Sequence, residues 1–107
     1  MSACLGKRKG SVHKVLLGRS GGSATGTDAG RFHPDTLRLP AGKFVTIKLV
    51  HGAGSTHTFT IDALDCDSGL LAVGDVAFVS FKVPKGTTEF HCIPHGSGGM
   101  DGRIIGT

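Results

Sequence analysis

Cys92, His95 and Met100 fall within nine residues in the spacing C-x2-H-x4-M. A thiolate, an imidazole and a thioether on one short loop are donors that suit copper in both of its oxidation states. Gly96, Gly98 and Gly99 give that loop the freedom to turn back sharply, so that the Met100 sulfur reaches the same point as the other two donors. Each residue alone is unremarkable: a lone Cys is often a small core residue, a lone His a surface residue, a lone Met a gap-filler. It is the combination that points to a metal. Zinc takes Cys and His as well, but the thioether is a poor choice for a dedicated zinc site.

A fourth donor has to come from elsewhere in the chain, and His57 is the expected one. It stands where the Gly-rich stretch Gly52-Ala53-Gly54-Ser55 gives way to a strand pattern carried by Phe59 and Ile61. His51, six residues earlier, is the rival and lacks that following pattern. Two His and one Cys in a trigonal plane with a weak axial Met is the arrangement of blue-copper electron-transfer sites.

The elements that must position these donors read as strands. Val45, Ile47 and Leu49 alternate with Thr46 and Lys48; Ala77, Val79, Phe81 and Val83 share one face; Phe90 and Cys92 point in while Glu89 and His91 point out. Ser11 to Leu17 is β-prone, Leu37 and Leu39 alternate about Arg38, and Arg103 to Ile105 makes a closing strand. Pro40-Ala41-Gly42 and Pro84-Lys85-Gly86 break the chain between strands, while residues 62–75 read as a polar connection with an apolar patch at Leu70-Leu71. Seven or so short strands with turn signals between them, and no helical period, predict an all-β sandwich or barrel. Loops gather at the ends of a sandwich, so His57 can lie beside the loop from Cys92 to Met100.

On these residues the chain resembles a small type 1 copper protein of the cupredoxin superfamily, with a plastocyanin-like ligand loop. The resemblance covers about 31–107: the leading hairpin at Leu37-Arg38-Leu39-Pro40-Ala41-Gly42, His-x-Phe at His57, the aromatic-x-Cys exit at Phe90, and Gly-Met-x-Gly at 99–102. It implies a Greek-key sandwich of about seven to eight strands, one copper ion held by His57, Cys92, His95 and Met100, and one-electron transfer between protein redox partners. The His95 ring edge would then be the electron port, and no catalytic residue or substrate pocket is expected. Two residues depart from the pattern. Thr58 stands where Asn is usual after the first His, and His91 precedes the ligand Cys. Multicopper oxidases and copper nitrite reductases use a His beside that Cys for a catalytic copper, but the nitrite reductase pattern also places an Asp and a second His three and five residues beyond the first ligand, where this chain has Thr60 and Asp62. A copper carrier or storage module is the remaining alternative, and a chain whose only methionines are Met1 and Met100 lacks the Met-rich tracts that would favour it.

The 107 residues suffice for one domain and its core, and 38% apolar content with 18 glycines and 4 prolines argues against long helices. Charge is uneven: residues 1–27 carry Lys7, Arg8, Lys9, Lys14 and Arg19 and no carboxylate, whereas the remaining 80 carry seven basic and eight acidic side chains. The expected organisation is therefore a basic arm over 1–30, containing the first strand and a Gly/Ser-rich connection, and a core over 31–107. No nucleic-acid motif accompanies the arm, so no nucleic-acid partner is expected, and the protein reads as a monomer. His13 and His33 read as surface residues. With three cysteines, either all are thiols or Cys4 pairs with Cys66 and leaves Cys92 outside. Met1 to Gly10 has no apolar stretch of a signal peptide. Ser2-Ala3-Cys4 resembles the end of a bacterial lipobox, which would make Cys4 a membrane tether and place the protein, like its family, in the periplasm or otherwise outside the cytoplasm.

Overall fold

A computed structural model describes residue 4 and residues 10–17, 32–52, 56–92 and 101–107. Within them lie nine strands and a single 3-10 turn: β1 (Ser11–Leu17), β2 (Phe32–His33), β3 (Thr36–Leu39), β4 (Phe44–His51), β5 (Thr60–Ile61), the turn Asp62–Leu64, β6 (Cys66–Asp67), β7 (Val76–Lys82), β8 (Gly86–His91) and β9 (Asp101–Gly106). They form two mixed sheets, β2-β1-β4-β7 and β3-β9-β8-β5-β6. The result is an all-β sandwich. No helix among the described residues is long and apolar enough to cross a membrane.

Alternation builds the core. Val45, Ile47 and Leu49 on β4 and Val79 on β7 have no exposure, and neither do Phe90 on β8 and Ile104 on β9. Residues of both sheets join in one apolar cluster. Phe32 of the first sheet sets its ring edge-on to Phe59 and Phe90, with centroids 5.8 and 4.9 Å away, and Phe59 lies 4.6 Å from Phe90. Such pairs add about 0.5–1.5 kcal/mol each beyond the area they bury.

Three features differ from the sequence expectation. The expected leading hairpin at Leu37–Gly42 does not form, because β4 lies between β1 and β7 in one sheet while β3 pairs with β9 in the other; β2 and β3 part in the same way, β2 pairing with β1. Pro34 lies between β2 and β3, and without an N–H it cannot continue a ladder. Ser11–Leu17, grouped with the basic arm by composition, lies inside a sheet, parallel to β4 over seven residues, with Val15 and Leu17 fully buried. The boundary at residue 31 follows charge and glycine content rather than packing. The connection 62–75 is also structured: it carries the turn, β6 and a bridge from Leu71 to His57. The expected connection after β1 lies outside the described residues.

Cys4 and Cys66 form a disulfide with Cα atoms 5.4 Å apart. Of the two arrangements the sequence leaves open, this is the paired one. It also corrects the membrane tether: a sulfur committed to a disulfide has no thiol left to carry a lipid thioether. The Cys4 carbonyl accepts the Ser80 N–H of β7 at 2.8 Å, and Cys66 sits in β6, so the bond joins an edge of each sheet. It closes a loop of 62 residues in sequence, which on chain entropy stabilises by about 4 kcal/mol. Gly102 is demanded by close approach, since a Cβ there would stand 2.5 Å from both the Asp35 carbonyl and the Phe90 ring. Cys66→Ala is expected to lower the unfolding free energy by about 2–4 kcal/mol in urea denaturation, with the visible fold otherwise intact.

Candidate metal centre

Cys92 follows the last residue of β8, whose alternation carries Phe90 and then Cys92 into the interior; both have no exposure. His57 arrives from the opposite direction in the chain. Its backbone is pinned on both sides by Leu71, with His57 N–H donating to the Leu71 carbonyl at 3.0 Å and Leu71 N–H donating back at 2.8 Å. The two side chains, 35 residues apart in sequence, meet at the end of the sandwich with His57 Nδ1 3.7 Å from Cys92 Sγ. The next residue adds a donor: Thr58 N–H points at the same sulfur at 3.3 Å.

The separation suits a shared ion. Two donors bound to one metal through bonds of about 2.0–2.3 Å, at angles of about 100–120°, stand about 3.3–3.8 Å apart. Both donors are fully buried, and Cys92 belongs to the apolar cluster that also contains Phe32, Phe59 and Phe90. The described residues bring no third His, Cys, Asp or Glu to this point. His95 and Met100, the other two expected ligands, lie outside the described residues, as do the glycines between them.

His51 has a place that its sequence context did not suggest. Its ring, 1% exposed, stacks on the His57 ring with centroids 4.5 Å apart and planes 21° from parallel. It is a neighbour of the expected ligand. One short segment holds both histidines. Leu71 pairs with His57, His51 N–H donates to the Asp75 carbonyl at 3.0 Å, and Gly74 N–H donates to the His51 carbonyl at 3.0 Å. Asp75 fixes that segment in turn, since its carboxylate accepts the Ala72 N–H at 2.9 Å. The only sequence signal for this clamp was the buried half of the Leu70-Leu71 patch: Leu71 is 7% exposed and Leu70 is 69% exposed.

The two departures from the family pattern are also placed. Thr58 is buried and its hydroxyl bonds Thr60 Oγ1 at 2.9 Å, while its backbone N–H serves the sulfur. His91 faces outward from β8, with Nδ1 3.8 Å from the exposed Asp62 carboxylate. An exposed pair at that distance contributes little to stability. His13 and His33 are half-buried rather than fully exposed.

No family model matches the sequence. Solved structures do match the fold. Auracyanin A, described as a "blue" copper protein of the green thermophilic photosynthetic bacterium Chloroflexus aurantiacus, superposes with a TM-score of 0.69 at 16% identity, over 92% of this chain and 100% of that one. A mutant fern plastocyanin, solved in oxidised and reduced forms, gives 0.58 at 24% identity over 88% and 99%. A purple cupredoxin from Nitrosopumilus maritimus gives 0.60 at 19% identity over 89% and 99%. The chain thus has the fold of the blue copper proteins.

Two variants test the clamp. His51→Ala is expected to cost the metal-free protein about 2 kcal/mol or more, and His51→Phe to recover part of it by restoring the stack, both read by urea denaturation. Asp75→Ala is expected to cost about 1 kcal/mol and to speed hydrogen exchange at His51, His57 and Leu71 more than at β9 amides.

Proposed function

We propose that the chain is a one-electron transfer protein holding a single type 1 copper ion through His57, Cys92, His95 and Met100. The observation that carries this is the buried approach of His57 Nδ1 to Cys92 Sγ at 3.7 Å, on a fold shared with copper proteins. When bound in such a donor set, copper supplies a centre that gains and loses one electron with little rearrangement of its ligands.

The chain's own part is to hold donors still and keep water out. Thr58 N–H donates to the Cys92 sulfur, which orients it and draws electron density from it; hydrogen bonding at that sulfur is one of the levers on the potential. His51 limits rotation of the His57 ring, and the Leu71–Asp75 segment fixes the backbone beneath both rings. Cys92 is itself part of the buried apolar cluster, which keeps water from the sulfur. His95 and Met100 would complete the donor set, and the His95 ring would lead the electron to the surface. No nucleophile or general base enters this task, so the protein is not an enzyme, and its partners are an electron donor and an acceptor that are themselves proteins. The Cys4–Cys66 disulfide supports a place outside the cytoplasm, where such bonds persist.

Titration of the metal-free protein with Cu(II) is expected to raise an intense thiolate-to-copper band in the visible, saturating at one equivalent. The band should bleach with ascorbate, return with ferricyanide, and vanish in Cys92→Ser. His95→Ala and Met100→Ala should shift or weaken it. Colourless binding, or a band that survives Cys92→Ser, overturns the assignment; tight Cu(I) binding without a stable coloured Cu(II) form would make the protein a carrier.

A further inference from the structure

Residues 57–61 run antiparallel to 66–71 beside the sulfur, and the ladder between them is irregular. Thr60 pairs with Asp67 and His57 with Leu71, so three steps along one chain oppose four along the other. One extra residue in a strand is a bulge. Gly69 supplies the left-handed backbone for it, with φ of 79°, and Leu70 is turned outward. Continued regularly from the His57–Leu71 pair, the ladder would join Phe59 N–H to the Gly69 carbonyl and Gly69 N–H to the Phe59 carbonyl. The Ser68 hydroxyl stands between the first two groups, accepting the Phe59 N–H at 2.9 Å and donating to the Gly69 carbonyl at 2.8 Å. Asp67 Oδ1 accepts the Gly69 N–H at 2.8 Å, and Ser68 N–H donates to the Phe59 carbonyl at 3.1 Å.

The peptide planes on either side of the Thr58 Cα are thereby both fixed. In one, the His57 carbonyl accepts the Leu71 N–H at 2.8 Å; in the other, the Phe59 N–H bonds the Ser68 hydroxyl. A trans peptide points its N–H away from its carbonyl. The Thr58 N–H therefore faces away from residues 68–71 and meets Cys92 Sγ at 3.3 Å. We propose that Ser68 is a positioning residue of the metal centre, its hydroxyl holding the Thr58 N–H on the Cys92 sulfur; this rests on the electron-transfer reading. Without that hydroxyl the N–H of buried Phe59 loses its acceptor, which is costly. It regains one by closing onto the Gly69 carbonyl, and that movement turns Thr58 away from the sulfur. The sulfur then recovers the electron density that the N–H drew off, which favours the oxidised centre. Ser68 is half-buried and outside the apolar cluster, so replacing it leaves the core packing in place.

The test compares the full-length protein with Ser68→Ala and with Ser68→Thr, which keeps the hydroxyl. In the metal-free proteins, NMR is expected to show the Thr58 amide exchanging about tenfold faster in Ser68→Ala, with its proton shifted upfield. Ser68→Thr should restore both. After loading with Cu(II), Ser68→Ala should move the thiolate-to-copper band to longer wavelength. In a fixed redox buffer its ratio of reduced to oxidised protein should fall about threefold to tenfold. Val83→Ala, a buried truncation beside Lys43 at the end of β4 remote from His51, should destabilise the fold without either change. An unmoved Thr58 amide in Ser68→Ala overturns the proposal, as does a moved amide with an unaltered band and reduced fraction. So does Ser68→Thr matching Ser68→Ala, or Val83→Ala reproducing its shifts. If the unsubstituted protein forms no coloured Cu(II) centre, the electron-transfer reading fails, and the metal-free amide still decides whether Ser68 aims the Thr58 N–H.

Discussion

A sulfur and an imidazole nitrogen facing each other at 3.7 Å with no access to solvent set the terms for the rest of this molecule. Buried polar atoms are costly unless their surroundings satisfy them. Among the described residues, a backbone N–H from Thr58 and a stacked ring from His51 meet them. Neither could be supplied by a loop alone. The Thr58 N–H is aimed because His57 is locked to Leu71, and His51 is placed because it ends the long strand β4 and is bonded to Gly74 and Asp75. A segment of five residues therefore registers both histidines against each other, and β8 delivers the sulfur to them.

Rigidity at that end depends on the sandwich staying closed elsewhere. The Phe32, Phe59 and Phe90 rings tie the two sheets together, while the Cys4–Cys66 bond joins an edge strand of one sheet to the chain that borders the other. Gly102 lets β9 pass under the Phe90 ring, so the strand after the expected ligand loop packs without displacing that ring. A scaffold of this kind suits a centre whose ligands should move little on gaining an electron.

Alternation made most of the sheet framework legible. Val45, Ile47 and Leu49, then Val79, Phe81 and Val83, then Phe90 and Cys92 are buried as their period of two requires. The pattern failed where burial was decided by something other than period. Composition marked Ser11–Leu17 as part of a charged arm, yet parallel pairing with β4 places it inside a sheet. A span rich in polar residues and glycine, 62–75, read as a plain connection, although its backbone hydrogen bonds are what hold the histidines.

The amino-acid sequence by itself determined the donor types and the strand faces, because both are written in local spacing: sulfur and nitrogen donors close together, apolar residues two apart. What only the tertiary structure decided was which distant groups meet. That Cys4 bonds Cys66 across 62 residues, that His51 stacks on His57, and that Lys14 lies beside Lys48 all depend on strand order and register. Those are properties of the whole packed chain, in which each strand's position depends on the burial available to the others, and no short window of residues carries them.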